Sequence, residues 1–371
     1  MIDWWNTTVG DTEIAGVTEA IRGRHLSQGP ITEALERRIA AQLEVPHVVL
    51  TTSGSAALLL ALMACEVGPG DEVVVPNRTF MATANAGLLL GARVKLVDVE
   101  RDRPVIEPAE IERVLTQRTK VILPVHRGGR AADMPRIRAV ARQHGLRVVE
   151  DAAQAFCSRS GEDRLGTLGD IGAFSLGVTK LITTGQGGFC VTRDAGLAER
   201  LRQCRNHGAV ELAPDRYDRF GFNFKFTDMQ AAIGLKQMDR LADKIERHRA
   251  VYAFYRDALR EQPAVRLIPV DTQAGELPLW TEALVAERRE TIARLAKRAI
   301  RARPLLPSLS QAAYLACDRP FPNSVLFARH AVVLPCGPNQ PEENLQATVT
   351  ALKQITKDMP ALPESGRIDR A

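Results

Sequence analysis

The stretch Gly172–Gly188, GAFSLGVTKLITTGQGG, joins two short apolar runs through a polar, glycine-rich turn. The first run ends at Ser175, a single lysine, Lys180, follows five residues later, and the second run is Gly188–Thr192. Short apolar runs bounded by turn residues read as buried strands. A lysine at the end of a buried strand is costly to desolvate unless the chemistry there wants an amine. Taken alone, Lys180 reads as a surface residue of a connecting loop, where isolated lysines mostly lie. The competing reading is a Schiff-base lysine holding an aldehyde cofactor, its pKa lowered by burial until the amine is nucleophilic. The rest of the chain has to choose between them.

Working outward, the same rhythm recurs. Val48–Leu50, Glu72–Val75, Val94–Val99, Val121–Val125 and Leu146–Glu150 read as further strands, ahead of Ile171–Ser175 and Gly188–Thr192. Between most of them lie helical patterns at Ala56–Met63, Thr83–Leu90, Pro108–Leu115 and Met134–His144. Continuous apolar strands spaced by helices predict an α/β fold with a mostly parallel seven-stranded sheet covered on both faces. Ligands of such sheets sit beyond the carboxyl ends of the strands. Before this core, an exposed segment precedes helices at Asp11–Arg22 and Ile31–Leu43, separated by Ser27-Gln28-Gly29-Pro30. After it, a long helix over Asp228–Leu259 leads into short apolar runs at Val265–Ile268 and Ala331–Leu334 and a helix over Glu343–Ile355. The expected division is a large domain over 1–245, a smaller C-terminal α+β domain over 246–360, and a disordered tail over 361–371.

Composition narrows the function. At 371 residues, 45% hydrophobic and 25% charged, the chain is ordinary for a soluble globular protein. The net charge of +5 is spread along the sequence and aromatics make up only 5%, so neither a basic stripe nor a stacking platform for nucleic acid is present. A phosphorylated small molecule suits that excess better. Six dispersed cysteines without a CxxC pair argue against a zinc site and a disulfide framework, and no metal site is expected. With no leader-like N-terminus and no run of membrane-spanning length, the expectation is a cytoplasmic protein without membrane contact.

The strand ends carry the chemistry. Thr51-Thr52-Ser53-Gly54-Ser55 precedes an apolar helix, so hydroxyls and free amides at its N-terminus could hold an anion, or Ser could simply cap it. Asp151 ends the fifth strand, where a carboxylate needs a cationic partner or several donors. A protonated pyridine nitrogen would supply one, and capping the next turn is the alternative. Phe80, just past the second strand, could stack on a flat ring or belong to the core. His126, ending the fourth, reads as a satisfied structural histidine. Ser55, Asp151, Ser175 and Lys180 together come in the order that a pyridoxal 5′-phosphate (PLP) site needs. That joint pattern reverses the reading of Lys180 as a surface residue.

These segments resemble the DegT/StrS group of PLP-dependent sugar aminotransferases, which have the aspartate aminotransferase-like fold (fold type I). The resemblance rests on TSGSAALLLAL (52–62), GPGDEVVVPNRTFMATANA (68–86), VVEDAAQA (148–155), GDIGAFSLGVTKLITTGQGGF (169–189), RNHG (205–208) and GFNFKFTDMQAAIGLKQMDRL (221–241). It implies that Lys180 is the Schiff-base lysine and proton shuttle and that Asp151 pairs with the ring nitrogen. It further implies that Gln154 meets the ring's phenolic oxygen, that Phe80 stacks on the ring, and that Ser55, Ser175 and the Ala56 amide hold the phosphate. Asn223 would reach the phosphate of a partner subunit, which implies a homodimer with shared active sites. Some relatives carry histidine at the lysine position and dehydrate; lysine here favours transamination.

The implied reaction moves an amino group from glutamate or glutamine to a keto group of a nucleotide-linked deoxysugar. Ser27–Pro30 resembles the segment of relatives that act on 4-keto sugars. A keto-cyclitol acceptor and a non-catalytic regulatory member are the alternatives, the complete set of Lys180, Asp151, Gln154 and Ser175 speaking against the latter. The chain also departs from the family. Residues 265–325 match poorly and look shortened around Gly275–Trp280, His126-Arg127-Gly128-Gly129-Arg130 is unusually basic, and Gln186 stands where an acidic residue is common. Arg127, Arg130 and the Arg301–Arg303 stretch read individually as solvated arginines, with the substrate diphosphate as their alternative partner.

Overall fold

Seven runs of β-branched and small apolar residues pair into one sheet. They are β1 (His47–Thr51), β2 (Glu72–Pro76), β3 (Arg93–Val97), β4 (Thr119–Ile122), β5 (Arg147–Asp151), β6 (Ile171–Ser175) and β7 (Gly188–Thr192). Their order in the computed structural model is β1-β7-β6-β5-β4-β2-β3, and only β7 runs against its neighbours. The structure describes residues 1–209, 219–315 and 317–362. The α/β reading with a mostly parallel seven-stranded sheet therefore holds. β4 is shorter than expected because Pro124 has no N–H to give the ladder; Val125 rejoins it through an isolated bridge to Asp151.

Helices cover both faces: α1 (Asp11–Arg22), α2 (Pro30–Leu43), α3 (Gly54–Ala64), α4 (Met81–Leu89), α5 (Pro108–Glu112), α6 (Met134–His144) and α7 (Ala195–Arg205). α3, GSAALLLALMA, has no polar face, and it is buried among β6, β7, α4 and α7. That placement is what a helix apolar all round requires. Behind it, Phe174 and Phe189 of the paired strands stack with centroids 4.6 Å apart, and Phe156 meets Phe189 edge-on.

The single helix expected over 228–259 is two, α8 (Asp228–Asp239) and α9 (Leu241–Leu259), broken at Arg240 (φ −107°, ψ 17°). The break is tied to α1: Arg240 pairs with the buried Glu13, and Gln237 Nε2 donates to Glu13 Oε1 and to the Thr8 carbonyl, both at 2.8 Å. Periodicity alone cannot register such a distant polar anchor. Ile245, the expected domain boundary, lies inside α9.

The C-terminal part builds an antiparallel sheet from β8 (Val265–Leu267), β9 (Glu282–Val285), β10 (Arg303–Pro304) and β11 (Ala331–Val333), ordered β8-β9-β11-β10. α10 (Arg288–Ala296), α11 (Pro322–His330) and α12 (Glu342–Thr356) accompany it. One apolar cluster runs from Leu35 and Phe174 through Tyr255 to Val332 and Leu352, joining the two sheets. The first ten residues, expected to be exposed, are partly drawn in. Trp4 and Trp5 are half-buried against this cluster, and Ile2 and Trp5 bridge to Ile300 and Cys336. Two indoles are too apolar to leave in water. Of the expected tail, Leu362 donates its amide to Pro263 O at 2.9 Å; residues 363–371 lie outside the described residues.

Asp228 fastens the helical layer. Fully buried at the start of α8, it accepts from Gly29 N (2.9 Å), Ile31 N (3.3 Å), Thr32 N (2.8 Å) and Thr32 Oγ1 (2.6 Å), so it caps α2 from another helix. Asp228→Ala strands those donors and is expected to cost about 3 kcal/mol, read as a lower urea midpoint. Asp228→Asn, which keeps one acceptor oxygen, should lose less.

Candidate active site

The carboxyl ends of β1, β2, β5 and β6 open on one cavity of about 280 Å³. Its wall includes Ser53, Gly54, Ser55, Phe80, Thr83, Asp151, Gln154, Ser175, Lys180, Gln186, Trp280, Arg303 and Leu306. Parallel strands deliver their ends to the same edge, so residues distant in sequence converge there.

α3 points its N-terminus at this cavity. Ser53 is the cap, its Oγ accepting from Ala56 N at 3.1 Å, and Ser55 stands exposed on the wall. Gly54 is required here: a Cβ would lie 2.7 Å from Ser175 Cβ, so only glycine lets the first turn of α3 touch the end of β6. Ser175 is half-buried and its Oγ accepts from Gly177 N at 3.3 Å. Two hydroxyls and a helix N-terminus thus share one corner, an arrangement that suits a phosphate.

Asp151 ends β5. Oδ2 accepts from Thr83 Oγ1 at 2.7 Å and Oδ1 from Ala153 N at 3.1 Å. Thr83 in turn contacts Thr79 Oγ1 at 2.8 Å. Burial pushes the Asp151 carboxyl above its usual range; the Thr83 and Ala153 bonds and the charge of Lys180 pull the other way. A carboxylate in that position gains from a cationic N–H placed beside it.

Lys180 lies in the turn after β6, its amide donating to Gly177 O at 3.1 Å. Desolvation of the ammonium lowers its pKa to about 8, opposed by Asp151 and assisted by the positive Arg127. Its Nζ stands 5.3 Å from the centroid of the Trp280 ring, which is fixed by Nε1 donating to Thr179 O at 3.3 Å.

Phe80 precedes α4 and is 44% exposed, its ring on the cavity wall rather than in the core. Gln154 Oε1 accepts from Gly128 N at 2.8 Å, which leaves its NH2 as the donor. His126 is structural, as expected: Nε2 meets Glu150 Oε2 at 2.7 Å and Nδ1 accepts from Ala132 N at 3.2 Å. Those partners make it the Nε2–H tautomer.

Arg127 and Arg130 are not solvated. They are 1% and 0% exposed, drawn in by the buried Glu282 of β9. Arg301 does stay at the surface, paired with Asp3, while Arg303 lines the cavity with its guanidinium 4.3 Å over the Trp4 ring.

Six of the eight expected site residues thus line the cavity, and Ala56 sits behind it in the first turn of α3. Asn223 does not. It is exposed, bridges to Asn206, and stands near a second concavity of about 520 Å³ lined by Ser27, Gln28, Arg202, Arg205, Asn206 and Lys225 among others. Thr83, Trp280 and Leu306 are additions to the sequence reading, and Arg303 takes the less favoured of its two readings by lining the cavity. Thr83 had a signal, one helical turn after Thr79 in the first turn of α4. Trp280 and Leu306 sit in the segment that matches no pattern.

The DegT/DnrJ/EryC1/StrS aminotransferase family model matches residues 7–353. Among curated proteins, the spore coat polysaccharide biosynthesis protein SpsC of Bacillus subtilis is 32% identical over 94% of this chain and 95% of its own length. UDP-N-acetyl-3-dehydro-alpha-D-glucosamine 3-aminotransferase of Acidithiobacillus ferrooxidans is 40% identical, over 72% of this chain and 70% of its own. Among solved structures, the aminotransferase TlmJ of Streptoalloteichus hindustanus is similar with a TM-score of 0.91 and 28% identity, covering 96% of this chain and 98% of that one.

The lowered Lys180 pKa fixes a pH dependence. The neutral amine dominates above pH about 8, so capture of a small aldehyde, trapped with borohydride and quantified by mass spectrometry, should rise through that pH. Asp151→Asn removes the charge that favours the ammonium and should move the midpoint down.

Proposed function

The chain belongs to the DegT/DnrJ/EryC1/StrS aminotransferase family and is a PLP-dependent aminotransferase, and on that premise we propose that it carries an amino group from glutamate or glutamine to the 4-keto group of a nucleotide-linked deoxysugar. The observation that carries the reading is the pair of Lys180 and Asp151 on one cavity, an amine held near neutrality and a carboxylate held in want of a cation.

The residues fit the cofactor. A buried carboxylate, a phosphate-sized corner at the α3 N-terminus, an aromatic face at Phe80 and an amine of low pKa surround one cavity. PLP supplies an aldehyde that accepts the amino group and a ring that takes up electron density when the substrate Cα loses its proton. Lys180 would hold that aldehyde, and its amine, neutral above pH about 8, would carry the proton at the substrate Cα. Asp151 keeps a positive charge on the ring nitrogen, with Thr83 and the Ala153 amide orienting its two oxygens. Gln154, its Oε1 fixed by Gly128 N, keeps its amide donor available and would offer it to the ring's phenolic oxygen. Ser55, Ser175 and the first amides of α3, that of Ala56 included, hold the phosphate. Phe80, its ring exposed on the cavity wall, would stack on the cofactor ring.

Asn223 completes the site of a partner subunit, so the working form is a cytoplasmic homodimer. Its exposure and its distance from its own chain's cavity support this. A 3-keto sugar nucleotide is the second reading, favoured by the 40% identical relative named for a UDP-3-dehydro sugar.

Three measurements test these statements. Protein reconstituted with PLP should show the visible band of the lysine-bound cofactor and lose it in Lys180→Ala; colourless wild-type protein would sink the enzyme reading. Offered to the pyridoxamine form, a 4-keto sugar nucleotide should restore the band, and restoration by the 3-keto compound alone would move the reaction to C3. Mixing unfolded Lys180→Ala and Asn223→Asp chains and refolding them together should recover activity that neither has alone, because one hybrid site is fully wild-type.

A further inference from the structure

The first ten residues, exposed on the sequence reading, have no part in the reaction described above. They form an arm that is fastened at both ends. Near its start, Ile2 N donates to Ala299 O at 2.8 Å, Ile2 O accepts from Arg301 N at 2.9 Å, and Trp4 O accepts from Cys336 N at 2.8 Å. At its end, Thr8 O accepts from Gln237 Nε2 of α8 at 2.8 Å. The Trp5 indole packs on the His248 ring, centroids 5.6 Å apart, and on Gly337. Gly337 has φ +114°, and a Cβ there would lie 3.3 Å from the indole, so the indole's seat needs a glycine beneath it.

Between these anchors the arm reaches the turn that carries Lys180. Trp5 Nε1 donates to Val178 O at 3.1 Å and to Thr7 Oγ1 at 2.9 Å, and Thr7 Oγ1 donates to the same Val178 carbonyl at 2.8 Å. The next carbonyl, that of Thr179, accepts from Trp280 Nε1 at 3.3 Å. Among the described residues, no other hydrogen bond reaches Val178, Thr179 or Lys180 from elsewhere in the chain. The Val178 side chain is 50% exposed and anchors little. A turn with so few contacts is held where its few carbonyl bonds put it. Trp4 backs the cavity from the same arm: its ring meets Trp280 edge-on at 6.4 Å and carries the Arg303 guanidinium, both wall residues.

We propose that Trp5 and Thr7 are positioning residues for Lys180, fixing the Val178 carbonyl so that the lysine amine stays buried beside the Trp280 ring. This deepens the aminotransferase reading and rests on it for the role of Lys180. The arm itself is held without these bonds, by Ile2, Trp4 and Thr8, so what they add is the position of the turn. Burial holds the Lys180 pKa at about 8 against an ordinary 10.5. A turn released from the arm lets water reach the ammonium, which then keeps its proton to higher pH. The charged groups facing that ammonium are Asp151, which favours it, and Arg127, which disfavours it, with Arg303 on the same wall. The arm's acid, Asp3, pairs with Arg301 instead. His248 under Trp5 has its pKa pushed down to about 4 by burial and stays neutral over the range concerned. Removing the Trp5 and Thr7 donors therefore changes no charge, and a shifted Lys180 reports a shifted turn.

The test follows Lys180 in the full chain carrying Trp5→Phe, Thr7→Val or both. Propanal is trapped on PLP-free protein with borohydride across a pH series, and the adduct at Lys180 is quantified by peptide mass spectrometry. The capture midpoint should rise by about half a unit in each single variant and about one unit in the double variant. Thr7→Ser, which keeps the hydroxyl, should keep the wild-type midpoint, and so should Asp3→Ala, which loosens the arm away from the turn. Loading each variant with PLP and recording the visible band of the lysine-bound cofactor verifies an intact site; if the double variant does not fold, Thr7→Val decides. An unmoved midpoint in variants that keep the band, an equal rise in Asp3→Ala, or no capture at Lys180 in wild type overturns the assignment. The expected rise in protein that never takes up PLP would uphold the positioning role while sinking the enzyme reading.

Discussion

Two groups that burial would discharge face one cavity across the ends of β5 and β6. Desolvation drives the Asp151 carboxyl toward its neutral acid and the Lys180 ammonium toward its neutral amine, while the attraction between them opposes both shifts. Neither charge is comfortable without a third partner. The parallel pairing of β5 with β6, with Asp151 opposite Ala173, is what sets them at the same edge. The rest of the large sheet serves this edge: α3 brings its N-terminus against Ser175, and α4 brings Thr83 to Asp151.

The second constraint lies under the wall of that cavity. Glu282 replaces what would be an apolar strand position with a carboxylate, and the Arg127–Arg130 turn folds over it. Gly129 in that turn has φ +88°, and a Cβ there would lie 1.8 Å from the Leu277 carbonyl, so the turn and the segment leading to Trp280 are locked together. The basic turn and the divergent C-terminal segment, which look like unrelated departures in sequence, are one packed unit. They meet the cavity at Trp280.

Much of this was legible in sequence because the relevant signals are local. β6 and β7 fall where Ile171–Ser175 and Gly188–Thr192 were read, since a buried strand must be apolar and its ends must turn. α6 likewise matches Met134–His144. The failures involve partners far away in the chain. Arg127 and Arg130 read as solvated because the acid that pairs with them is distant in sequence; Glu282 is some 150 residues on. The break at Arg240 depends on Glu13, and the half-burial of Trp4 and Trp5 depends on a surface made by Trp280, Ile300 and Cys336.

By itself, then, the sequence determined the α/β sheet and the order of chemical groups at its strand ends: Ser55, Asp151, Ser175 and Lys180 each follow an apolar run, and parallel strands can send such residues only to one edge. The tertiary structure alone decided which charges are compensated. It buried Arg127 and Arg130 beside Glu282, brought both Arg127 and Lys180 to the Trp280 ring, and left Asn223 off its own chain's cavity wall. Charge balance in a protein interior is a property of distances between side chains, and those distances exist only once the two sheets have packed.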